Sequence, residues 1–201
     1  MRKTVAVTGA SGFVGRYVVR VLQGLDGFRV VASGRDEEKL SCLGCDYVIH
    51  DLAGPADGCF ARFGRPDFLI HLAWEGLPNY QELFHIERNL EENYRFLKAM
   101  VQQGLQDLTV AGTCYEYGLQ SGCLAEDAPT RPVTGYGLGK DTLRRFLETL
   151  SGRHPFRMKW ARLFYMYGEG QNPKALIPLL DRALEEGAES FEMSGGEQLR
   201  D

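Results

Sequence analysis

The sequence predicts an α/β fold, a doubly wound and mostly parallel sheet with helices on both faces. Short apolar runs typical of buried strands alternate with longer segments in which apolar residues recur at helical spacing. A glycine-rich turn stands directly between the first of these runs and the first helical segment. Strand, glycine turn and amphipathic helix, in that order, indicate a nucleotide-binding α/β protein.

The glycine-rich turn follows the first predicted strand, Thr4 to Thr8. Its glycines, Gly9, Gly12 and Gly15, have the spacing G-x-x-G-x-x-G. The first permits a tight turn, the second lets the backbone approach a pyrophosphate, and the third allows close helix packing. The N-terminus of the helix then faces the phosphates. The predicted cofactor contacts in this turn are Gly9, Ser11, Gly12, Phe13, Val14 and Gly15.

Residues after the second strand, Phe28 to Ala32, are expected to contact the adenosine ribose of the cofactor. An acidic residue at this point would accept hydrogen bonds from the ribose 2′-hydroxyl. The strand instead ends in Ser33 and, two residues later, Arg35. A hydroxyl and a guanidinium suit a phosphate, so these residues predict NADP. In the alternative, Arg35 stacks on adenine and Asp36 accepts hydrogen bonds from the ribose hydroxyls. This arrangement would favour NAD, which is therefore the second choice.

The third and fourth strands, Tyr47 to His50 and Phe68 to Leu72, are expected to end beside the same ligand. In parallel sheets, ligands lie outside the carboxyl ends of the strands. The predicted cofactor contacts at these ends are Asp51, Leu52, Leu72 and Ala73. His71 is interpreted as a hydrogen-bonded core imidazole rather than as a ligand.

A long helix is predicted over residues 81–103. Its apolar residues recur at helical spacing, at Leu83, Ile86, Leu90, Tyr94, Leu97 and Val101. The charged residues between them, Glu87, Arg88, Glu91 and Glu92, are interpreted as a solvent-exposed face. Because the apolar stripe is wide, we expect a homodimer formed through this helix and a later one over residues 136–150.

A candidate catalytic group follows the fifth strand, Leu108 to Ala111. Tyr136 and Lys140 are four residues apart and therefore share one face of a helix. A free phenol loses its proton near pH ~10, and a neighbouring ammonium favours the phenolate. We therefore predict that Lys140 lowers the pKa of Tyr136 and makes it a proton donor or acceptor near neutral pH. The hydroxyl of Thr113 is predicted to meet the phenol over a shared substrate oxygen.

The last third of the chain contains a sixth predicted strand, Arg157 to Phe164, and then changes character. From Gly170 onward the pattern predicts a loop, a helix from Ala175 to Leu184 and a short strand from Ser190 to Met193. We accordingly expect a dinucleotide-binding domain over residues 1–168. Residues 169–201 are expected to begin a substrate-binding domain.

Composition excludes several classes of function. A net charge of −4 over 201 residues provides no basic surface for nucleic acid. No apolar run is long enough for a secretory core or a membrane span, so we expect a cytoplasmic protein with no membrane partner. The five cysteines are scattered, and Cys42 and Cys45 form a lone C-x-x-C. We interpret that pair as two small thiols rather than as a metal or redox site.

These motifs together resemble the extended short-chain dehydrogenase/reductase family, in its branch of nucleotide-sugar epimerases, dehydratases and reductases. Residues 8–15 match its T-G-x-x-G-F-x-G, and residues 71–73 match its H-x-A. Residues 89–97 are similar to its N-V-x-G-T-x-N-L-L. Residues 112–118 are similar to its S-S-x-x-V-Y-G, with Thr113 as the hydroxyl residue. Tyr136 and Lys140 match its Y-x-x-x-K, and residues 162–168 its R-x-x-N-x-Y-G, with Tyr165 where asparagine is common.

The resemblance implies a Rossmann fold and hydride transfer between the nicotinamide and C4 of a nucleotide sugar. Tyr136 would exchange the proton of the sugar O4, Thr113 would hydrogen-bond O4, and Lys140 would hold the cofactor ribose. The cofactor contacts implied by this resemblance also include Tyr136, Lys140 and Phe164. The implied substrate contacts are Trp74, Tyr115, Tyr165 and Arg200.

The reaction type stays open within this family. A 4,6-dehydratase would carry an Asp-Glu pair directly after the threonine, where this chain has Cys114 and Tyr115. Residues 73–80 look like the loop of bacterial dTDP-4-keto-6-deoxyhexose reductases, which favours a 4-ketoreductase. A UDP-sugar 4-epimerase is the alternative. Non-catalytic NAD(P)-sensing proteins of this fold usually lack the Tyr/Lys pair, which is present here.

The chain departs from the family pattern near its end. In the family, the R-D that matches Arg200 and Asp201 is followed by a strand and further helices that complete the sugar-nucleotide pocket. We therefore expect either a fragment or a naturally short protein. Such a chain should bind the dinucleotide and hold the sugar poorly.

Overall fold

Six parallel strands form one sheet in the part of the chain that the structure describes. The structure, a computed structural model, describes residues 2–193 and 195. The strands are β1 (Lys3–Thr8), β2 (Phe28–Gly34), β3 (Asp46–Ile49), β4 (Phe68–His71), β5 (Asp107–Thr113) and β6 (Arg157–Leu163). Their order across the sheet is β3-β2-β1-β4-β5-β6, with each neighbouring pair parallel. This order is typical of the Rossmann fold, and it confirms the predicted fold class.

Helices connect the strands and cover both faces of the sheet. They are α1 (Phe13–Gln23), α2 (Glu37–Ser41), α3 (Cys59–Arg62), α4 (Leu90–Gln102) and α5 (Gly135–Ser151). A further helix, α6 (Leu176–Glu185), follows β6 in the chain. A π-helical turn, His85–Asn89, leads into α4, and a 3₁₀ turn, Cys114–Glu116, follows β5. Within the described ranges, no helix combines the length and the apolar character that crossing a membrane requires.

The sheet separates two apolar cores because alternate strand residues point to opposite faces. Val5 and Val7 of β1 pack with Val19 of α1 on one face. On the other face, Ala6 packs in a cluster that includes Phe96 of α4 and Leu147 of α5. Strands buried on both faces explain why the sequence shows continuous apolar runs rather than alternation.

Two of the predicted elements differ in the structure. The helix expected from residue 81 begins only near His85, with the π-helical turn, because residues 76–83 form turns instead. The strand expected from Ser190 to Met193 is not formed, and those residues are coil. A strand needs a neighbouring strand as the partner for its backbone hydrogen bonds. In the described part of the chain, no strand of the sheet pairs with this segment.

The chain divides into two compact units after Leu163. The first contains the whole sheet and helices α1 to α5. The second begins at Phe164, five residues before the boundary expected from the sequence, and contains α6. The division into two domains near residue 168 remains a prediction about the complete protein.

Candidate active site

A cleft lies at the carboxyl ends of β1, β2, β3 and β4, where the strand order reverses between β1 and β4. Nine of the predicted cofactor contacts line it, together with Trp74. They are Gly9, Ser11, Gly12, Ser33, Arg35, Asp51, Leu52, Leu72 and Ala73. Strand ends at such a reversal are the usual ligand site of open α/β sheets.

The glycine turn forms the inner wall of this cleft. Gly9 has a φ of +67°, and a side chain there would lie 2.8 Å from the backbone nitrogen of Ala73. A side chain on Gly15 would lie 2.1 Å from the carbonyl oxygen of Gly9, so the turn and α1 pack backbone against backbone. Gly12 caps α1 without a side-chain acceptor, and the first turn of the helix has no acidic residue. The N–H groups and partial positive charge of this helix end therefore suit an anionic pyrophosphate.

A buried hydrogen-bond network forms the floor of the cleft. The ring of His71 joins the Thr8 hydroxyl, 2.8 Å from Nδ1, to the Asn93 amide oxygen, 2.7 Å from Nε2. Burial and the nearby Lys140 lower the pKa of His71 to about 3, so the imidazole is neutral. The interpretation of His71 as a satisfied core residue is thus confirmed. Asn93 in turn donates to the carbonyl of Asn89 at 2.6 Å.

Asn89 is a further polar residue of the cleft that was not assigned as a contact from the sequence. Its amide nitrogen donates to the carbonyl of Glu75 at 2.9 Å. Its amide oxygen, although buried, has no hydrogen-bond partner among the described residues. A buried acceptor without a partner costs about 1–3 kcal/mol, which a hydroxyl donor of a ligand would recover. The sequence signal was present, because Asn89 opens the stretch that resembles a family motif.

Tyr136 and Thr113 lie together at the carboxyl end of β5. Both are buried, with 8% and 5% of their surfaces exposed. Burial raises the pKa of Tyr136 to about 12, and a hydrogen bond with the Thr113 side chain acts in the opposite direction. The Thr113 hydroxyl also accepts from the backbone N–H of Tyr115 at 3.3 Å. The two hydroxyls therefore lie close together, and their meeting over a shared substrate oxygen stays a prediction.

The pKa of Tyr136 is raised in this structure, whereas the sequence predicted that Lys140 would lower it. Lys140 is fully buried, and its ε-amino group donates to the carbonyl of Ala111 at 2.8 Å and lies 4.2 Å above the ring of Trp74. Burial lowers the pKa of Lys140 to about 7, so only part of the population is cationic at neutral pH. The helical spacing correctly placed both residues on one face. Burial, which spacing along a helix does not predict, is the largest influence on the pKa of each of the two groups.

Replacing Lys140 with methionine should change stability in a pH-dependent way. Between about pH 7 and pH 10.5, the unfolded chain holds a lysine proton that the folded protein has released. The free energy of unfolding of the wild type therefore rises with pH across this window, whereas methionine contributes no such rise. The stability of Lys140→Met relative to wild type should be greatest below about pH 7 and should fall steadily towards pH 10.5.

Urea unfolding at several pH values measures this difference. Lys98→Met, at an exposed position of α4, is the matched control and should show no comparable pH dependence. A stability difference between Lys140→Met and wild type that stays constant with pH would contradict the burial of an ionisable amine.

An aromatic cluster connects the cleft to Tyr136. Trp74, which lines the cleft, has its ring centre 6.0 Å from that of Tyr136. Its indole N–H donates to Nδ1 of His85 at 3.0 Å, and Nε2 of His85 lies 3.0 Å from the carbonyl of Asn79. This pattern assigns a neutral His85 with its proton on Nε2. The π-helical turn thus fixes Trp74 beside the catalytic candidates.

Tyr115 belongs to the same aromatic cluster. It stacks on Tyr80 with ring centres 4.6 Å apart, and its ring is 5.9 Å from that of Tyr136. The predicted substrate contacts Trp74 and Tyr115 therefore both lie next to the phenol. Flat aromatic walls of this kind bind the apolar face of a sugar ring.

A buried ion pair lies directly behind Thr113. Glu116 is completely buried, and its carboxylate accepts from the Thr113 backbone N–H at 2.8 Å and from Nε of Arg162 at 2.7 Å. The indole N–H of Trp160 also donates to it, at 2.9 Å. The carboxylate thus joins the end of β5 to β6. No local pattern singles out Glu116, because its partners Trp160 and Arg162 are 44 and 46 positions away in the chain.

Some predicted site residues lie elsewhere. Phe13, Val14 and Gly15 form the first turn of α1, and Gly15 packs against the backbone of Gly9 and Ala10. Phe164 and Tyr165 belong to the second unit. Arg200 lies outside the described residues.

Two other interpretations concern residues away from the catalytic candidates. Cys42 and Cys45 are free thiols, and no group of potential metal ligands occurs in the part of the chain that the structure describes. The charged residues of α4 and of the π-helical turn before it are only partly a solvent-exposed face. Glu92 lines the cleft, and Arg88 pairs with Glu75 at 3.1 Å.

Comparisons with known proteins agree with this site. Residues 5–201 match the NAD dependent epimerase/dehydratase family. The chain is 29% identical over 201 residues to dTDP-6-deoxy-L-talose 4-dehydrogenase (NAD(+)) of Aggregatibacter actinomycetemcomitans, covering 98% of this chain and 74% of that protein. It is 25% identical to GDP-6-deoxy-D-talose 4-dehydrogenase of the same organism, covering 98% of this chain and 64% of that protein.

A solved structure shows the same fold. MoeE5 in complex with UDP-glucuronic acid and NAD superposes with a TM-score of 0.76 at 29% identity, covering 90% of this chain and 60% of MoeE5. The chain thus spans about three fifths to three quarters of the length of these relatives. With the sheet order, the glycine turn and the Tyr136–Thr113 pair in agreement with a match over residues 5–201, this protein belongs to the NAD dependent epimerase/dehydratase family.

Proposed function

We propose that the complete protein is an NAD-dependent nucleotide-sugar oxidoreductase that acts at C4 of the sugar, as a reductase of a 4-keto-6-deoxyhexose type. The observation that carries this proposal is the buried Tyr136–Thr113 pair, which lies beside Trp74 at the edge of the dinucleotide cleft. The relatives named as dehydrogenases of dTDP- and GDP-linked 6-deoxytaloses support the position of the reaction on the sugar.

Tyr136 is the proton donor in this proposal. Because burial raises its pKa to about 12, the phenol holds its proton at neutral pH. A protonated phenol suits donation to a carbonyl oxygen as that oxygen becomes a hydroxyl, which is the direction of reduction. Thr113 forms a second hydrogen bond with the same oxygen, and its backbone N–H donates to the Glu116 carboxylate. The bound nicotinamide supplies the hydride.

The cleft provides the dinucleotide contacts. The glycine turn and the N-terminus of α1 hold the pyrophosphate, and Asp51 and Leu52 border the adenine end. The Asn89 amide oxygen is available to a ribose hydroxyl. A hydrogen bond to the Ala111 carbonyl and a contact with the Trp74 ring hold Lys140 at the end of the cleft where the nicotinamide would bind.

We propose NAD rather than NADP as the cofactor. The NADP prediction depended on Arg35, and this arginine already forms an ion pair with Glu75.

Two alternative functions are compatible with the same fold. A UDP-sugar 4-epimerase would use the same cleft, and a non-catalytic NAD(P) sensor would bind without turnover. Tyr115 stands where epimerising GDP-fucose synthases have a cysteine, which favours simple reduction. A homodimer through residues 81–103 and 136–150 and a cytoplasmic location remain predictions.

A panel assay of the full-length protein distinguishes these readings. We expect dTDP- and GDP-linked 4-keto-6-deoxyhexoses to oxidise NADH stoichiometrically, as followed by the loss of nicotinamide absorbance. An epimerase would instead interconvert UDP-sugars without net change in the cofactor. Binding of NADH without turnover of any sugar in the panel would contradict the enzyme assignment.

A further inference from the structure

The adenosine end of the cleft is acidic, although its sequence suggested a phosphate site. Of the cleft-lining residues in the described part of the chain, Arg35 alone is a cation. Asp51, Glu75 and Glu92 line the same cleft and are carboxylates. The electrostatic influence of all three reaches Arg35, whose pKa they raise, with Glu75 contributing most through a hydrogen bond.

Glu75 uses both of its carboxylate oxygens to hold arginines. Oε1 accepts from Arg35 at 3.0 Å, and Oε2 accepts from Arg88 at 3.1 Å. The backbone carbonyl of Glu75 accepts from the buried Asn89 amide, which fixes the residue in place. Arg35 follows β2 and Glu75 follows β4, so their side chains meet from opposite sides of β1 and its glycine turn.

We propose that Glu75 is a specificity-determining residue that selects NAD(H) over NADP(H) by engaging Arg35, an inference that rests on the proposed function. To bind a 2′-phosphate, Arg35 would have to leave Glu75, and the phosphate would lie among three carboxylates. Like charges within one cleft disfavour one another. A 2′-hydroxyl has no such conflict, because a carboxylate accepts its hydrogen bond.

The pair is accessible enough to exchange partners. The side chains of Arg35 and Glu75 are 57% and 40% exposed, so their mutual attraction is modest and screened by water. The preference for NAD(H) therefore comes from the combined effect of the Arg35–Glu75 pair and the surrounding carboxylates, and not from one strong bond. Removing the charge of Glu75 should release Arg35 for a phosphate without unfolding the site.

Binding titrations of the full-length protein with NADH and NADPH test this, with nicotinamide fluorescence as the readout. Wild type should bind NADH more tightly. Glu75→Gln should strengthen NADPH binding by about 10-fold while NADH binding changes by less than about 3-fold. The gain should disappear in the double variant Glu75→Gln with Arg35→Ala, because the released guanidinium is then absent.

Glu87→Gln is the control, since it removes the same charge from an exposed residue that does not line the cleft. It should leave the ratio of the two affinities unchanged. A wild type that prefers NADPH, or a Glu75→Gln variant whose affinity ratio matches wild type, would overturn the assignment. Because binding is measured apart from turnover, an absence of sugar reduction with this ratio intact would count against the proposed function alone.

Discussion

Replacing Tyr136 with phenylalanine in the full-length protein is expected to lower turnover by roughly 10²–10⁴-fold while NADH binding is retained. The substitution removes only the hydroxyl. The ring keeps its contacts with Trp74, Tyr80 and His85, whose ring centres lie 6.0, 5.7 and 5.4 Å away. Steady-state turnover of the sugar substrate, compared with a titration of NADH, separates the two effects.

A second tyrosine provides the matched control. Tyr94 of α4 packs against Phe146 with ring centres 5.2 Å apart. Tyr94→Phe should leave turnover within about 3-fold of wild type, because it removes a hydroxyl with no proposed part in proton transfer. If Tyr136→Phe kept full turnover, the phenol would have no role in proton transfer. If it lost NADH binding as well, the role of Tyr136 would be structural.

The sheet and the nucleotide cleft were predictable because their signals are local. A buried strand, a turn that requires glycine and an amphipathic helix each occupy a few consecutive residues. The carboxyl ends of parallel strands then meet at one edge by geometry alone. For this reason Ser33, Asp51 and Ala73, which are far apart in sequence, were correctly placed around one cleft.

Contacts across the fold were not predictable in the same way. Glu75 forms an ion pair with Arg35, which is 40 residues away in the sequence. No local pattern predicts that the arginine has this partner. Whether the pKa of Tyr136 is raised or lowered depends on the burial of the phenol. The spacing of residues along a helix does not predict that burial. The π-helical turn was not predicted either, because its segment has ordinary helical periodicity. In the structure, His85 and Asn89 of this turn are both buried.

Replacing Glu116 with alanine is expected to lower the free energy of unfolding by about 3–5 kcal/mol, because it breaks a buried ion pair from one side. The Arg162 side chain is only 11% exposed and would keep its charge without the carboxylate at 2.7 Å. The Trp160 indole and the Thr113 backbone N–H would lose their acceptor as well. Urea unfolding of the full-length protein measures the loss.

Glutamine at the same position separates charge from hydrogen bonding. Glu116→Gln keeps an oxygen acceptor for Thr113 and Trp160 but removes the charge that faces Arg162, so its loss of stability should be smaller than that of Glu116→Ala. Glu126→Ala is the control, since its side chain is exposed and only its backbone carbonyl accepts from Arg162, at 2.8 Å. A Glu116→Ala variant as stable as this control would contradict the ion pair.

The Glu116 variants also connect stability to catalysis through one hydrogen bond. The carboxylate holds the backbone of Thr113, and Thr113 holds its hydroxyl against Tyr136. If that hydrogen bond positions the hydroxyl, Glu116→Gln should keep most of the turnover that Glu116→Ala loses, at a temperature where both are folded. Equal turnover in the two variants would mean that Thr113 is positioned by β5 alone, and Glu116 would then act only on the stability of the sheet edge.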